Sequence, residues 1–312
     1  MTSNTAQTWL VIFDQLSHSL IAANSPNDDG TTVFRPFDWL ETHSLVYEQF
    51  HRQDCDDSTG ESSCPYSGVL PELIRAAKQA GRNISELHIH SPEDVSAETR
   101  ADLANADIVI IRLHNSNSDA TSSASLADSL LQRVLEDLVV LPMSSSLDST
   151  EPNRNINLIV TASRGIERTL PTSFDSALNQ SVIHLPLWIY SPQLPARRTQ
   201  VVCGSRDMAP TLAELTGVMF FEPSDTSGQS LLVLAAEETA ERILELNGPD
   251  WRALRTPTYL LVIRDAAGDE ADSSHDEELE PVRRLYLKPD DYWNVNDVYS
   301  SYEEIARLME EM

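Results

Sequence analysis

Residues 184–218 read HLPLWIYSPQLPARRTQVVCGSRDMAPTLAELTGV. The run Leu185 to Tyr190 is short, apolar and ended by Ser191-Pro192, as a buried strand is. Arg197-Arg198 lies in the connection that follows. Asp207 can then cap a helix whose first turn tolerates Pro210, and Gly217 stops it. Strand, basic connection and capped helix form one unit, and the same order can be followed outward from it.

Toward the N-terminus, TWLVIFD (8–14) is β-branched and ends on a carboxylate, as a buried parallel strand does when its carboxyl end faces a site. SPNDDGTT (25–32) is a turn-rich loop. Phe37, Trp39, Leu40, Leu45, Val46 and Phe50 recur at near-helical spacing, which predicts an amphipathic helix over 36–50. A polar, irregular stretch (54–68) precedes a helix at VLPELIRAAKQAG (69–81) and a strand at ISELHIH (84–90). A helix near 95–104 leads to ADIVIIRLH (106–114), the clearest buried strand of the chain. Small polar residues at 115–125 read as a loop, SLADSLLQRVLEDLVVL (125–141) as a helix, and NRNINLIVTASRG (153–165) as another strand. Strands alternating with helices predict an α/β fold with a largely parallel central sheet covered on both faces. After residue 250, RTPTYLLVIRD and VRRLYLKP predict two antiparallel strands. The expected division is a core domain over 1–248 and a small C-terminal α+β subdomain over 249–312, with no internal repeat.

Composition narrows the function. The 312 residues carry 49 Asp and Glu against 22 Lys and Arg, a formal charge of −27, and only Lys78 and Lys288 are lysines. Such a chain repels phosphate backbones and anionic lipid, so neither a nucleic-acid nor a membrane-surface role is expected. Three cysteines (Cys55, Cys64, Cys203) make no disulfide framework and fit a reducing compartment. The apolar run near the N-terminus is too short for a signal peptide's core, and no stretch reaches the roughly 20 apolar residues a membrane span requires. The expected location is cytoplasmic. The sixteen residues 265–280 hold eight carboxylates and no Lys or Arg, so they read as an extended acidic loop, without the ligand spacing of a calcium loop.

The 184–218 segment resembles the late part of a sulfatase, in the alkaline-phosphatase-like superfamily. There a strand of the form "vPlii" precedes a basic stretch and then "DlaPTllelaG". Leu185-Pro186-Leu187-Trp188-Ile189-Tyr190 and Asp207-Met208-Ala209-Pro210-Thr211-Leu212, with Leu215 and Gly217, occupy those places. Gly228-Gln229-Ser230-Leu231, the RTPTYLLVIRD strand and the RRLYLKPDDYWNVNDV tail resemble the runs that follow. At the front, LVIFDQL, RPFDWLETHSLVYEQF and PELIRAAKQAG resemble the family's opening strand and helices, so the likeness spans nearly all of 9–300.

The resemblance implies a formylglycine made from the Cys or Ser of C-x-P-x-R, a divalent cation held by acidic or amide oxygens, and Lys, His and Arg balancing the sulfate charge. The sequence departs from this at each part. No cysteine starts the motif, and Ser63-Cys64-Pro65-Tyr66-Ser67 keeps Ser-x-Pro but has Ser67 where arginine belongs. The paired aspartates of the first strand become Asp14-Gln15, a weak remnant metal site. The "TSDHG" element becomes Thr161-Ala162-Ser163-Arg164-Gly165, with Ser163 and Arg164 where Asp and His are expected. Arg164 there places a positive charge where a dication would sit, and pairing with Asp14 is one expectation for it. The Lys-His element is replaced by AGRNISELHIHSP, and the late lysine by Leu260 or Leu261; Lys288 reads as a surface residue. His88 and His90, at i and i+2, share one face of a strand and with His114 form an alternative ligand set for a metal.

The expected function is therefore a catalytically inactive sulfatase-like protein that keeps the scaffold. No cofactor is expected, with calcium or another divalent cation bound only if the site still functions. Its ligand would be a small anion or a protein partner, with Arg164, Arg112 and Arg197-Arg198 on the anion side. Two alternatives stay open: an ester hydrolase using Asp14 and some of His18, His88, His90 and His114 around a displaced metal, and an acidic interaction module acting through 265–280.

Overall fold

The computed structural model describes residues 6–16, 36–53, 66, 68–95, 103, 105–115, 120–139, 155–165, 180–220, 228–237, 242–248, 251–264 and 281–311. In chain order the elements are β1 (Gln7–Gln15), α1 (Pro36–His43), β2 (Leu45–Tyr47), β3 (Phe50–His51), α2 (Val69–Gln79), β4 (Ile84–Ile89), β5 (Ile108–Leu113) and α3 (Ala120–Arg133), whose last residues run on as a π-helical turn, Val134–Val139. They continue as β6 (Ile156–Arg164), α4 (Gln180–Ile183), β7 (Leu187–Tyr190), β8 (Arg197–Thr199), β9 (Cys203–Gly204), α5 (Met208–Thr216) and α6 (Leu231–Ala236). The C-terminal part holds β10 (Leu244–Asn247), β11 (Trp251–Arg255), β12 (Tyr259–Arg264), β13 (Val282–Leu287) and α7 (Glu303–Glu311).

The main sheet has seven strands in the order β4-β5-β1-β6-β7-β2-β8. All pairings are parallel except those of β7, which runs against both β6 and β2, so the sheet is mixed but mostly parallel. Its middle strands are apolar on both faces: Trp9 to Phe13 of β1, Ile108 to Ile111 of β5 and Leu158 to Val160 of β6 are all fully buried. Helices bury one stripe against it, as Leu70, Leu73 and Ala77 of α2 do. At the edge, β4 is half exposed and leaves Glu86 and His88 accessible.

The structure corrects several boundaries. The helix expected over 36–50 stops at His43, and Leu45–Tyr47 is a strand between β7 and β8. Thr42 Oγ1 donates to the Asp38 and Trp39 carbonyls, at 2.9 and 3.1 Å, and His43 stacks on Trp39, which closes the last turn. Beyond it Leu-Val-Tyr suits a pleated, buried position better than a further helical turn. Helix α3 begins at Ala120, inside the expected 115–125 loop, since small residues oppose helix by only a few tenths of a kcal/mol each. The C-terminal sheet has four antiparallel strands, β10-β11-β12-β13, not two. Most of the helix expected near 95–104, and all of the acidic 265–280 run, lie outside the described residues.

The small sheet packs against α4 and the chain around β9. Ile183 and Val202 join Leu244, Leu246, Trp251, Ala253, Leu260, Val262 and Tyr286 in one apolar cluster. Asn247 N donates to Gln53 O at 2.8 Å, and Gln53 Nε2 to Glu245 O at 3.2 Å. Lys288 is not the surface residue expected: only 6% of it is exposed, and its ammonium donates to Asp291 O, Tyr292 O and Asn294 Oδ1.

The 184–218 unit forms as a strand, β7, and a helix, α5, with Pro210 in its first turn and Gly217 at φ 67° ending it. Asp207, however, does not cap α5 through its side chain. Its carboxylate is fully buried and accepts four hydrogen bonds. Oδ2 takes Gly204 N at 2.8 Å and Arg242 Nη1 at 2.7 Å, while Oδ1 takes Gln229 N at 2.8 Å and Arg242 Nη2 at 2.7 Å. One side chain thus ties α5 to residues 228–229 and to the entry of β10.

Candidate functional site at the carboxyl ends of the central strands

Strands β4, β5, β1 and β6 end side by side, and this edge brings most of the singled-out residues together. The pairing sets Ile12 level with Arg112 and Thr161, and Gln15 level with Arg164. His88 lies level with Arg112. Because side chains alternate, two sets form. Asp14, His114, His88 and Arg112 belong to one face, with Ser163 level with Asp14; Gln15 and Arg164 belong to the other.

The first set is a hydrogen-bonded chain. Asp14 Oδ2 lies 2.8 Å from His114 Nδ1, and His114 Nε2 lies 2.8 Å from His88 Nδ1. His88 Nε2 is 3.8 Å from Glu86 Oε1, and Arg112 Nε donates to the same oxygen at 3.3 Å. His90 stacks on His114 with ring centroids 4.2 Å apart. Its backbone N–H and that of Ser91 donate to Asp94, which holds the Asp94 carboxyl below its ordinary pKa and fixes the turn after β4. Partial burial, then the neighbouring His114, lowers the pKa of His88, so the neutral ring is favoured.

In the second set Gln15 is held on both sides. Asn115, fully buried, accepts from Gln15 N at 3.1 Å and donates to Gln15 O at 2.6 Å, so its amide extends the ladder by one rung. On the other side Leu16 N donates to Arg164 O at 2.9 Å. Arg164 is half-buried at the strand end. Gly165 follows because only a residue without a side chain fits: a Cβ there would stand 1.8 Å from Ser181 O.

The expected Asp14–Arg164 pair does not form. Asp14 is engaged by His114, and strand alternation turns Arg164 to the opposite face. The donors of the implied oxygen-ligand cation site therefore do not converge. Among the described residues no group of three or more His, Cys, Asp or Glu side chains is set to hold a metal ion. The residues present do not fit the calcium site that the resemblance implies. Of the anion-side candidates, Arg112 is bound to Glu86, Arg197 donates to Ala235 O, and Arg198 bridges Glu41 and Glu48. Ser63, Cys64 and His18 lie outside the described residues.

Two features escaped the sequence reading. Asn115 carried a signal, an amide directly after a buried strand and its histidine. Arg242, the partner of Asp207, carried none, because nothing in its local sequence marks a buried cation.

No family model matches the sequence, and no curated protein is similar to it. Solved structures are similar in fold. A sulfatase from Pseudoalteromonas sp. superposes with a TM-score of 0.64 at 11% identity, covering 98% of this chain and 89% of that one. A phosphonate monoester hydrolase from Silicibacter pomeroyi gives 0.61 at 10% identity, over 99% and 94% of the two chains. A protein of the alkaline phosphatase superfamily from Vibrio parahaemolyticus gives 0.60 at 13% identity, over 99% and 86%. At such identities the likeness speaks to architecture alone, and the chain has the sulfatase-like fold of the alkaline-phosphatase superfamily.

Proposed function

We propose that this chain is a sulfatase-fold protein that does not hydrolyse sulfate esters and instead binds a small anion at the carboxyl end of its central strands. The observation that carries the reading is the placement of Arg164 level with Gln15 while Asp14 is taken by His114. A guanidinium at that edge supplies fixed positive charge, which favours an oxyanion there without a bound dication. The lost C-x-P-x-R motif removes the nucleophile, and the scaffold persists because its core is set by the apolar strands.

The test is direct. Purified protein should show no turnover of an aryl sulfate or aryl phosphate, with or without added calcium, and should bind inorganic sulfate or phosphate by titration calorimetry. Arg164→Gln should weaken that binding at least about tenfold, the worth of one charge-assisted contact. Turnover abolished by Asp14→Ala would overturn the inactive reading, and unchanged anion affinity in Arg164→Gln would remove the anion site. The Asp14–His114–His88 chain favours one second reading, an ester hydrolase with its site displaced toward the histidines. There the carboxylate would orient His114 as a general base.

A further inference from the structure

Helix α2 and the strands β4 and β5 enclose a groove of about 500 Å³, on the face of the sheet opposite Arg164. That volume falls within the roughly 300–1,000 Å³ of small-molecule sites. Its α2 wall follows from helical spacing, because residues 70, 71, 74, 75 and 78 share one side of the helix. Leu70 is buried, Ile74 half-buried and Pro71 exposed, so an apolar floor rises from the core toward solvent. Arg75 and Lys78 stand exposed at the rim, and Arg112 of β5 faces them beside Glu86 of β4.

The charge of this groove runs against that of the chain. Three of only 22 basic side chains meet here, and Glu86 is the one carboxylate among the described residues that line it, although the protein holds 49 acids. The cations are not used up by their neighbours. Arg75 donates to Glu72 through Nη2 alone, and Arg112 to Glu86 through Nε alone, at 3.3 Å. Both Nη groups of Arg112 are without an acceptor among the described residues, and Lys78 has no ion pair there.

We propose that this groove binds a small amphipathic organic anion, with its apolar body on Leu70, Pro71 and Ile74 and its sulfonate, sulfate or carboxylate group held by Lys78 and Arg112. An inorganic anion would leave the apolar floor in water, and a neutral hydrophobe would leave the cations without a counter-charge. A polyanion such as an acidic peptide would gain the same contacts but would be repelled by the remaining charge of a −27 protein. A ligand with one or two charges and an apolar body meets all three conditions.

The groove and the strand-end anion site lie on opposite faces, so each can fail without the other. Full-length protein should bind one equivalent of naphthalene-2-sulfonate in titration calorimetry. Neither inorganic sulfate, which lacks the apolar body, nor 2-naphthalenemethanol, which lacks the charge, should displace it at about tenfold excess. Lys78→Glu, at an exposed helix position, should weaken binding at least about fivefold, and Ile74→Ser about tenfold, both with unchanged circular dichroism. Arg164→Gln should leave the affinity for this probe unchanged. Absence of saturable binding would overturn the proposal, as would equal affinity in Lys78→Glu and the unmodified protein. Loss of binding in Arg164→Gln, or ready displacement by inorganic sulfate, would also overturn it by placing the probe at the strand-end site.

Discussion

Removing the Asp207 carboxylate tests whether the fold-diagnostic segment acts through its helix or through this one buried charge. Asp207 has no exposed surface and accepts two backbone and two guanidinium hydrogen bonds. In Asp207→Asn the shape is kept, but the amide must turn its NH2 toward a backbone donor and an arginine donor at once. Arg242, whose side chain is 16% exposed, then loses its counter-charge in a mostly buried place. Breaking a buried pair from one side costs about 3–5 kcal/mol, and Arg242→Ala should cost a similar amount by stranding the carboxylate. Because each single change already forfeits the pair, the double variant Asp207→Asn/Arg242→Ala should cost only about 1–2 kcal/mol beyond the larger single, a coupling of about 2–3 kcal/mol. Urea unfolding followed by tryptophan fluorescence, with m compared across the set, reads all three. Additive single effects, or an Asp207→Asn cost within about 0.5 kcal/mol of zero, would refute the idea that this carboxylate joins three segments.

Gly165→Ala should destabilise by about 1–3 kcal/mol and move the β6 end, because the added methyl meets the Ser181 carbonyl and the main chain must give way; unchanged thermal stability would contradict this close approach. Burial, then the nearby Arg255, pushes the Lys288 amine down to about 7, against about 10.4 in an unfolded chain. Between pH 7 and pH 9 the unfolded chain holds a proton that the folded one releases, so stability should rise with pH, by up to about 1.4 kcal/mol per unit. That slope should vanish in Lys288→Met, and a slope that persists in the variant would assign it to another group.

The architecture was largely legible because its strands carry their own signal. TWLVIFD, ADIVIIRLH and NLIVTAS are continuous apolar runs, and such runs fit few places other than the middle of a parallel sheet. Gly217 and Pro210 marked α5 because both residues limit the backbone in ways that show locally. The 36–50 segment misled because Leu45, Val46 and Phe50 satisfy a helical period by spacing, while Leu45 and Val46 sit between β7 and β8 and Phe50 pairs with β9, all far off in sequence. At the site, His88, His90 and His114 were expected as one set and are together in space, since strand register is a regular lattice. The Asp14–Arg164 pair failed for the complementary reason. Facing across a sheet depends on the parity of the register, and one residue of offset reverses it. Lys288 shows the limit most plainly: its burial is produced by the turn of chain that follows it, which composition does not describe.

The apolar cluster that joins Ile183 of α4 and Val202 to the small sheet has a consequence during synthesis. Ile183 and Val202 leave the ribosome well before the strands that cover them, the last of which carries Tyr286. At roughly 5–20 residues per second, a nascent chain shows that bare surface for several seconds. A chain arrested before residue 251 has made every strand of the large sheet yet offers a sticky flank to chaperones or to its own copies. Synthesis of β10 to β13 thus acts as the step that ends this exposure to aggregation.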